Sequence, residues 1–345
     1  PMRELLAGSP WVSRRDWDED PLALQPENSS TQPTFLALPL RSRGELVGAM
    51  LVACDRAAPS LSTRRMNILT GIAGQAALAV ENARLLQEAA ERERMQQELE
   101  VAQRIQSSFL PEACPPLPGW ELAALWCSAR QVSGDFYDFI PLPPVSGSPP
   151  GSESRLGLII ADVADKGVPA ALFMALSRTL IRTMAIDGRP PASAVARAND
   201  LILADARSEL FVTLFYAILQ SHCGEVSYVN AGHMPPLWVH AVDGRVEELK
   251  SHDMALAVLP GVPFTEQQVH LAIGDLLVLY TDGVTDASNA EGEMFGRQRL
   301  AEVVSAHRNR SAEELIHTID EVVNAFVGHT PQYDDITVVI AKRKS

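Results

Sequence analysis

The sequence predicts an α+β protein in which a layered sandwich follows a smaller α+β unit and a long helical connector. Three observations predict it. Seven β-rich runs alternate with two helical zones between residues 121 and 343. A helical pattern without proline runs from about Ser62 to Phe109. Ahead of that helix, FLALPLRSRGELVGAMLVAC (35–54) reads as two strands joined by a turn at Ser42–Gly44.

Taken in order, the irregular opening gives way to that hairpin and then to the helix, about 70 Å long at about 1.5 Å per residue. So long a helix cannot be buried in one small domain. Leu78, Leu85 and Leu99 fall on a seven-residue spacing, with Arg92 in the missing position, and Glu88 and Arg92 stand four apart. This favours a parallel coiled-coil dimer connector over a single solvated helix. PEACPPLPGW (111–120) ends the helix, because proline cannot continue it. The expected division is therefore 1–80, a connector over 81–110, and a domain over 111–345. Within the last, strands are expected over 121–129, 155–163, 210–219, 225–231, 236–241, 275–281 and 335–343. One helix pair is expected over 171–185 and 192–206, and a second over 296–309 and after Ser311, where Ser311 and Glu314 form a capping-box pattern. PLPPVSGSPPGSES (141–154) is a low-complexity loop with no assigned role.

Bulk properties narrow the function. The chain has 345 residues, 46% of them hydrophobic, and a formal charge of −14 from 29 basic and 43 acidic residues. That charge argues against nucleic acid or an anionic membrane as the main partner. The apolar runs LVGAMLVAC and LGLIIADV are too short to span a bilayer, and no signal peptide opens the sequence, so a soluble, cytoplasmic protein is expected. Cys54, Cys114, Cys127 and Cys223 lie far apart without CxxC spacing, which suits a reducing compartment. Proline as first residue and the sparse first forty residues suggest an N-terminal truncation.

The chemistry is carried by aspartates expected where strands end: GDFYDF (134–139), ADVADKG (161–167), YTDGVTD (280–286) and YDDIT (333–337). Each alone reads as a turn signal. Four such carboxylate groups beside apolar β-runs read as a cage for hard cations such as Mg²⁺ or Mn²⁺, since burying them together is costly without a neutralising charge. No cysteine is followed six residues later by arginine, so that nucleophile class is absent, and no GxxxxGK[ST] loop is present.

The succession AQRIQSSFLPEACPPLPGWELAALWCSARQVSGDFYDF, ADVADKGVPAALFMA, NAGHMPPL, YTDGVTDASNAEGEMFG and DDITVVI resembles the SpoIIE/RsbU-type serine/threonine phosphatases of the metal-dependent PPM superfamily. The resemblance covers roughly residues 100–343. It implies an α/β/β/α sandwich holding two Mn²⁺ or Mg²⁺ ions between its sheets. Carried over, Asp135, Asp162, the Val163 carbonyl, Asp282 and Asp334 are metal ligands. Asp335 stands where relatives often carry Asn, and Asp286 matches a position that helps hold a third ion. Arg130, five before Asp135, matches a phosphate-binding arginine of some PPM enzymes. His233 in NAGHMPP is read as supporting a turn rather than as a general acid. Asp165 departs from the family wording, which has glycine there, and Lys166 is expected to pair with it.

The hairpin with RGELVGAMLVA (43–53), followed by LSTRRMNILTGIAGQAALAVENARL (61–85), resembles, more loosely, the C-terminal half of a GAF sensory module; a structural, dimerising α+β cap is the alternative. The SpoIIE/RsbU resemblance implies a phosphatase acting on phosphoserine or phosphothreonine of a signalling protein, by family an anti-sigma-factor antagonist of the STAS type. The chain would work as a homodimer. A catalytically silent phosphoprotein-binding module and a small-phosphoester hydrolase are the rival readings.

Overall fold

The computed structural model describes residues 12–13, 34–54, 62–144, 154–205, 209–221, 223–250 and 253–344. It forms two compact units, Pro1–Gln97 and Glu98–Ser345. The irregular opening and residues 145–153 of the low-complexity loop lie outside the described residues.

In the first unit, β1 (Val12–Ser13) pairs with β2 (Thr34–Ser42), which forms an antiparallel hairpin with β3 (Glu45–Cys54). The turn is where the sequence places it. Arg43 and Gly44 both have positive φ, 50° and 88°, the conformation that matches a two-residue hairpin to strand twist. Helix α1 (Thr63–Ser107) follows, and Ala73 and Ala77 pack against Leu36, Leu38 and Leu40. Leu78 and Leu85 remain about half exposed. Glu88 pairs at 2.8 Å with Arg84, four residues before it, rather than with Arg92, four residues after it.

The second unit holds two five-stranded antiparallel sheets. One is ordered β10 (Val246–Glu248), β9 (Leu237–Val239), β12 (Leu276–Tyr280), β13 (Ile336–Arg343), β4 (Trp120–Cys127). The other is ordered β11 (Gln267–His270), β8 (Glu225–Ala231), β7 (Val212–Gln220), β6 (Arg155–Val163), β5 (Phe136–Leu142). Helices α2 (Val168–Ala185) and α3 (Pro191–Asp205) cover the second sheet through Ile159, Ala161 and Tyr216. Beyond the four-residue α4 (Asp282–Thr285), helices α5 (Gly296–Ala306) and α6 (Ala312–Val327) cover the first through Val278, Tyr280 and Ile340. Phe139, Leu158, Ile160, Leu277, Leu279 and Val339 fill the seam between the sheets. The architecture is the expected α/β/β/α sandwich, and the Ser311–Glu314 capping box is present.

Strand periodicity dictates what points into the seam. Leu156, Leu158 and Ile160 face it, so Asp162 comes next in line; Leu277 and Leu279 lead to Thr281, and Val339 and Ala341 lead back to Thr337. The sequence reading missed β5, β10 and β11. In β5 the pattern is interrupted by Asp138 and Pro141. Proline is tolerated because β5 is an edge strand. Asp138, 1% exposed, is compensated by Arg178 at 3.0 Å and Arg182 at 2.7 Å from α2. The expectation that every aspartate motif sits where a strand ends is also corrected. Asp162 and Asp282 lie at or after C-terminal ends, whereas Asp135 and the Asp334–Asp335 pair precede β5 and β13. Antiparallel pairing brings such starts and ends to the same edge.

Candidate functional site

Asp135 is the most enclosed member of the set, 2% exposed. Its Oδ2 accepts hydrogen bonds from Thr281 Oγ1 at 2.7 Å and Thr337 Oγ1 at 2.8 Å, both on the opposite sheet. Asp135 is therefore stitched across the seam. Its approach loop is held by Asp335, whose Oδ1 accepts from the Ala129 N–H at 2.8 Å and Oδ2 from the Gly134 N–H at 3.0 Å. Gln106, near the end of α1, closes the loop from the other side. Its Nε2 donates to Ser133 O at 2.6 Å and its Oε1 accepts from the Ser133 N–H at 2.9 Å. A Cβ on Gly134 would lie 3.1 Å from Val163 O, so the missing side chain lets this loop approach the end of β6.

Asp282 opens α4, whose next residue rests on the backbone before β13: a Cβ on Gly283 would meet Asp335 O at 1.9 Å. TDG is thus a packing requirement as well as a turn signal. Asp334 Oδ2 pairs with Lys166 Nζ at 2.8 Å, and its Oδ1 accepts from the Asp335 N–H. Asp286 is exposed at the C-terminal end of α4. Beside Asp286 and Asp334 lies a cavity of about 400 Å³, also lined by Val327, Pro331 and Tyr333.

The electrostatics show these groups acting on one another. Burial raises Asp135 well above the usual carboxylate range, and Asp162 adds to the shift. Burial and then Asp282 push Asp162 up to about 7. Asp282 is raised by burial, Asp334 and Asp286, against a lowering pull from Lys166. Among the described residues, no three acidic, histidine or cysteine side chains already stand in a finished ligand geometry. The donor set still fits a hard divalent cation: it is all oxygen, and burial with neighbouring carboxylates raises Asp135, Asp162 and Asp282, negative charge that Lys166 offsets only in part.

The family described as Stage II sporulation protein E (SpoIIE) matches residues 152–344, more than half of the chain. The chain belongs to the SpoIIE family. Protein IcfG of Synechocystis is 34% identical over 276 residues, covering 71% of this chain and 41% of its own length. Phosphoserine phosphatase RsbU of Bacillus subtilis is 26% identical over 248 residues, covering 72% of this chain and 70% of its own. Among solved structures, the SiaA-PP2C domain of Pseudomonas aeruginosa aligns with a TM-score of 0.62 at 24% identity, covering 74% of this chain and 98% of that one. The RsbU and RsbW domains of a Mycobacterium tuberculosis protein align at 0.57 with 26% identity, covering 67% and 63%. The fold is that of PP2C-type (PPM) phosphatase domains. The chain spans less than half the length of the Synechocystis relative.

Four further positions in this SpoIIE chain bear on sequence expectations. His233 is fully buried, its Nδ1 2.9 Å from Thr213 Oγ1, and burial depresses its pKa to about 3. It is neutral at physiological pH and supports the turn after β8, its N–H donating to Asn230 Oδ1. Asp165 has φ 82°, the left-handed region where glycine is favoured, which accounts for the family's glycine there. Lys166 pairs with Asp334 and not with the Asp165 carboxylate, which instead accepts from the Lys166 N–H. Arg130 is exposed, one residue beyond the Ala129 N–H that Asp335 holds. The sequence reading had not singled out Thr281, Thr337, Gly134, Gly283 or Gln106. The signals were seam parity for the threonines and a place beside a candidate aspartate for Gly134 and Gly283; Gln106, 27 residues from its partner Ser133, gave none.

Proposed function

We propose that this chain is a metal-dependent protein serine/threonine phosphatase. The observation that carries the reading is the gathering of Asp135, Asp162 and Asp282 with Asp334 at one edge of the inter-sheet seam, where burial and neighbouring carboxylates raise the first three. Two Mn²⁺ or Mg²⁺ ions would be held by these four carboxylates and the Val163 carbonyl, with Asp286 available to a third. Asp335 already uses both oxygens on backbone N–H groups, so its place in the proposal is to hold the Asp135 loop rather than to lead as a ligand. When bound, the ions supply an acidified water and Lewis-acid stabilisation of phosphoryl oxygens. Thr281 and Thr337 fix Asp135 so that it keeps its place as charge changes around it. Arg130 is the candidate to bind the phosphoryl oxygens, and the 400 Å³ cavity beside Asp286 and Asp334 would take residues flanking the phosphorylated side chain.

The substrate in this reading is a phosphoserine or phosphothreonine of a signalling protein, an anti-sigma-factor antagonist of the STAS type. Support comes from the Bacillus relative's name as a phosphoserine phosphatase. The first unit, in this reading a partial GAF-like sensor, would act through α1, whose Gln106 grips the loop before Asp135. Exposed Leu78 and Leu85 support a dimeric coiled-coil role for that helix. Among the described residues no helix is long and apolar enough to cross a membrane, and we place the protein in the cytoplasm. The test is Mn²⁺-dependent phosphate release from a phosphoserine protein by the 345-residue chain. Wild-type turnover in Asp282→Asn would overturn the metal mechanism, and metal binding without turnover of any phosphoprotein would favour the silent binding module.

A further inference from the structure

Lys166 lies between the two sides of the aspartate edge. It follows β6 of one sheet, and its partners Tyr333 and Asp334 precede β13 of the other. Nζ stands 2.8 Å from Asp334 Oδ2, donates to Tyr333 O at 3.2 Å and sits 4.0 Å above the Tyr333 ring. An ammonium with a carboxylate, a carbonyl and an aromatic face around it is well satisfied. Its backbone is anchored too, with the Lys166 N–H donating to Asp165 Oδ1 from a residue in the left-handed region. The local fold therefore delivers a positive charge to one of the proposed metal ligands.

We propose that Lys166 is a tethered counter-cation that holds Asp334 in the metal-free protein and competes with the divalent ion for it. The inference rests on the phosphatase reading and concerns how its site fills. Without metal, the ammonium neutralises part of the acidic cluster, standing 2.8 Å from one of its carboxylates. When a metal takes Asp334, Lys166 gives up the ion pair, so metal affinity is lowered by whatever that pair contributes. The pair is 27% exposed on each side, which places its contribution near the top of the range for surface pairs. Tyr333, 78% exposed, keeps the lysine near the site after release.

The test is isothermal titration of Mn²⁺ into the full chain without substrate, comparing wild type with Lys166→Met and Lys166→Arg. Met keeps the aliphatic stem and removes the charge; Arg keeps the charge. The expected result is an ion bound about fivefold more tightly in Lys166→Met, and close to wild-type affinity in Lys166→Arg. In an Asp334→Asn background, Lys166→Met should give no further gain. Equal Mn²⁺ affinity in wild type and Lys166→Met, or weaker binding in the variant, overturns the counter-cation role and leaves the metal reading standing. Absence of Mn²⁺ binding in every variant overturns both. If Lys166→Met fails to fold, Lys166→Arg decides: a large change in affinity despite the retained charge overturns the inference.

Discussion

Gly283→Ala pits local propensity against tertiary contact. In an exposed helix, alanine would stabilise by up to about 1 kcal/mol relative to glycine. Here the new Cβ would lie 1.9 Å from Asp335 O and 2.7 Å from Asp335 C, where ordinary contact begins at 3.4 Å, so the two backbones must part by about 1.5 Å. Neither neighbour is a flexible side chain, which puts the strain at the upper end of the roughly 1–3 kcal/mol typical of overpacking. The net loss is about 2 kcal/mol, a fall in Tm of about 4–8 °C for a unit of this size. Because α4 carries Asp282 and the opposing backbone carries Asp334, the displacement also spreads the two carboxylates. A shift on the order of 1 Å in a catalytic constellation costs about 10²-fold in turnover. Thermal melting without metal and Mn²⁺-dependent phosphate release measure the two effects. An unchanged or higher Tm with full turnover would refute the packing argument.

Removing both hydroxyls from Asp135, as Thr281→Val with Thr337→Val, should raise its proton affinity further and weaken Mn²⁺ binding more at pH 6 than at pH 8; titration calorimetry at the two pH values checks this. Burial and the neighbouring Asp282 hold the folded Asp162 carboxyl at about 7, well above the usual carboxylate range. Its contribution to stability is thus present at low pH and lost as pH rises through about 7. The metal-free chain should be less stable, and melt at lower temperature, at pH 8 than at pH 5, with about 3 kcal/mol of the difference coming from this group. Asp162→Asn should flatten the dependence and Mn²⁺ should reverse it; a metal-free chain that gains stability over this range in wild type and Asp162→Asn alike would contradict the raised acid. Asp138→Ala leaves Arg178 and Arg182 without their buried partner and should cost about 3 kcal/mol, read as a lower midpoint in urea.

Much of the fold was legible because its signals are local. The Arg43–Gly44 turn, the Ser311–Glu314 cap and the uninterrupted helix from residue 63 depend on neighbours a few residues away. Strand β5 was hidden because its buried aspartate is compensated from α2, some 40 residues later, which no window over FYDFIPL contains. Lys166 was assigned to its sequence neighbour Asp165 for the same reason: its actual partner is reached only when the two sheets meet.

The sequence by itself determined the chemistry of the candidate site, an oxygen-rich set of aspartates beside apolar strands. It also determined the face on which Asp162 lies, because strand periodicity is a property of the chain. Only the tertiary structure decided how each carboxylate is engaged. Asp135 is held by hydroxyls 146 and 202 residues away, Asp335 is taken up by the Ala129–Gly134 loop, and Asp334 faces a lysine. Hydrogen bonds and ion pairs act over a few ångströms of space, and antiparallel pairing of two packed sheets sets which distant residues come that close.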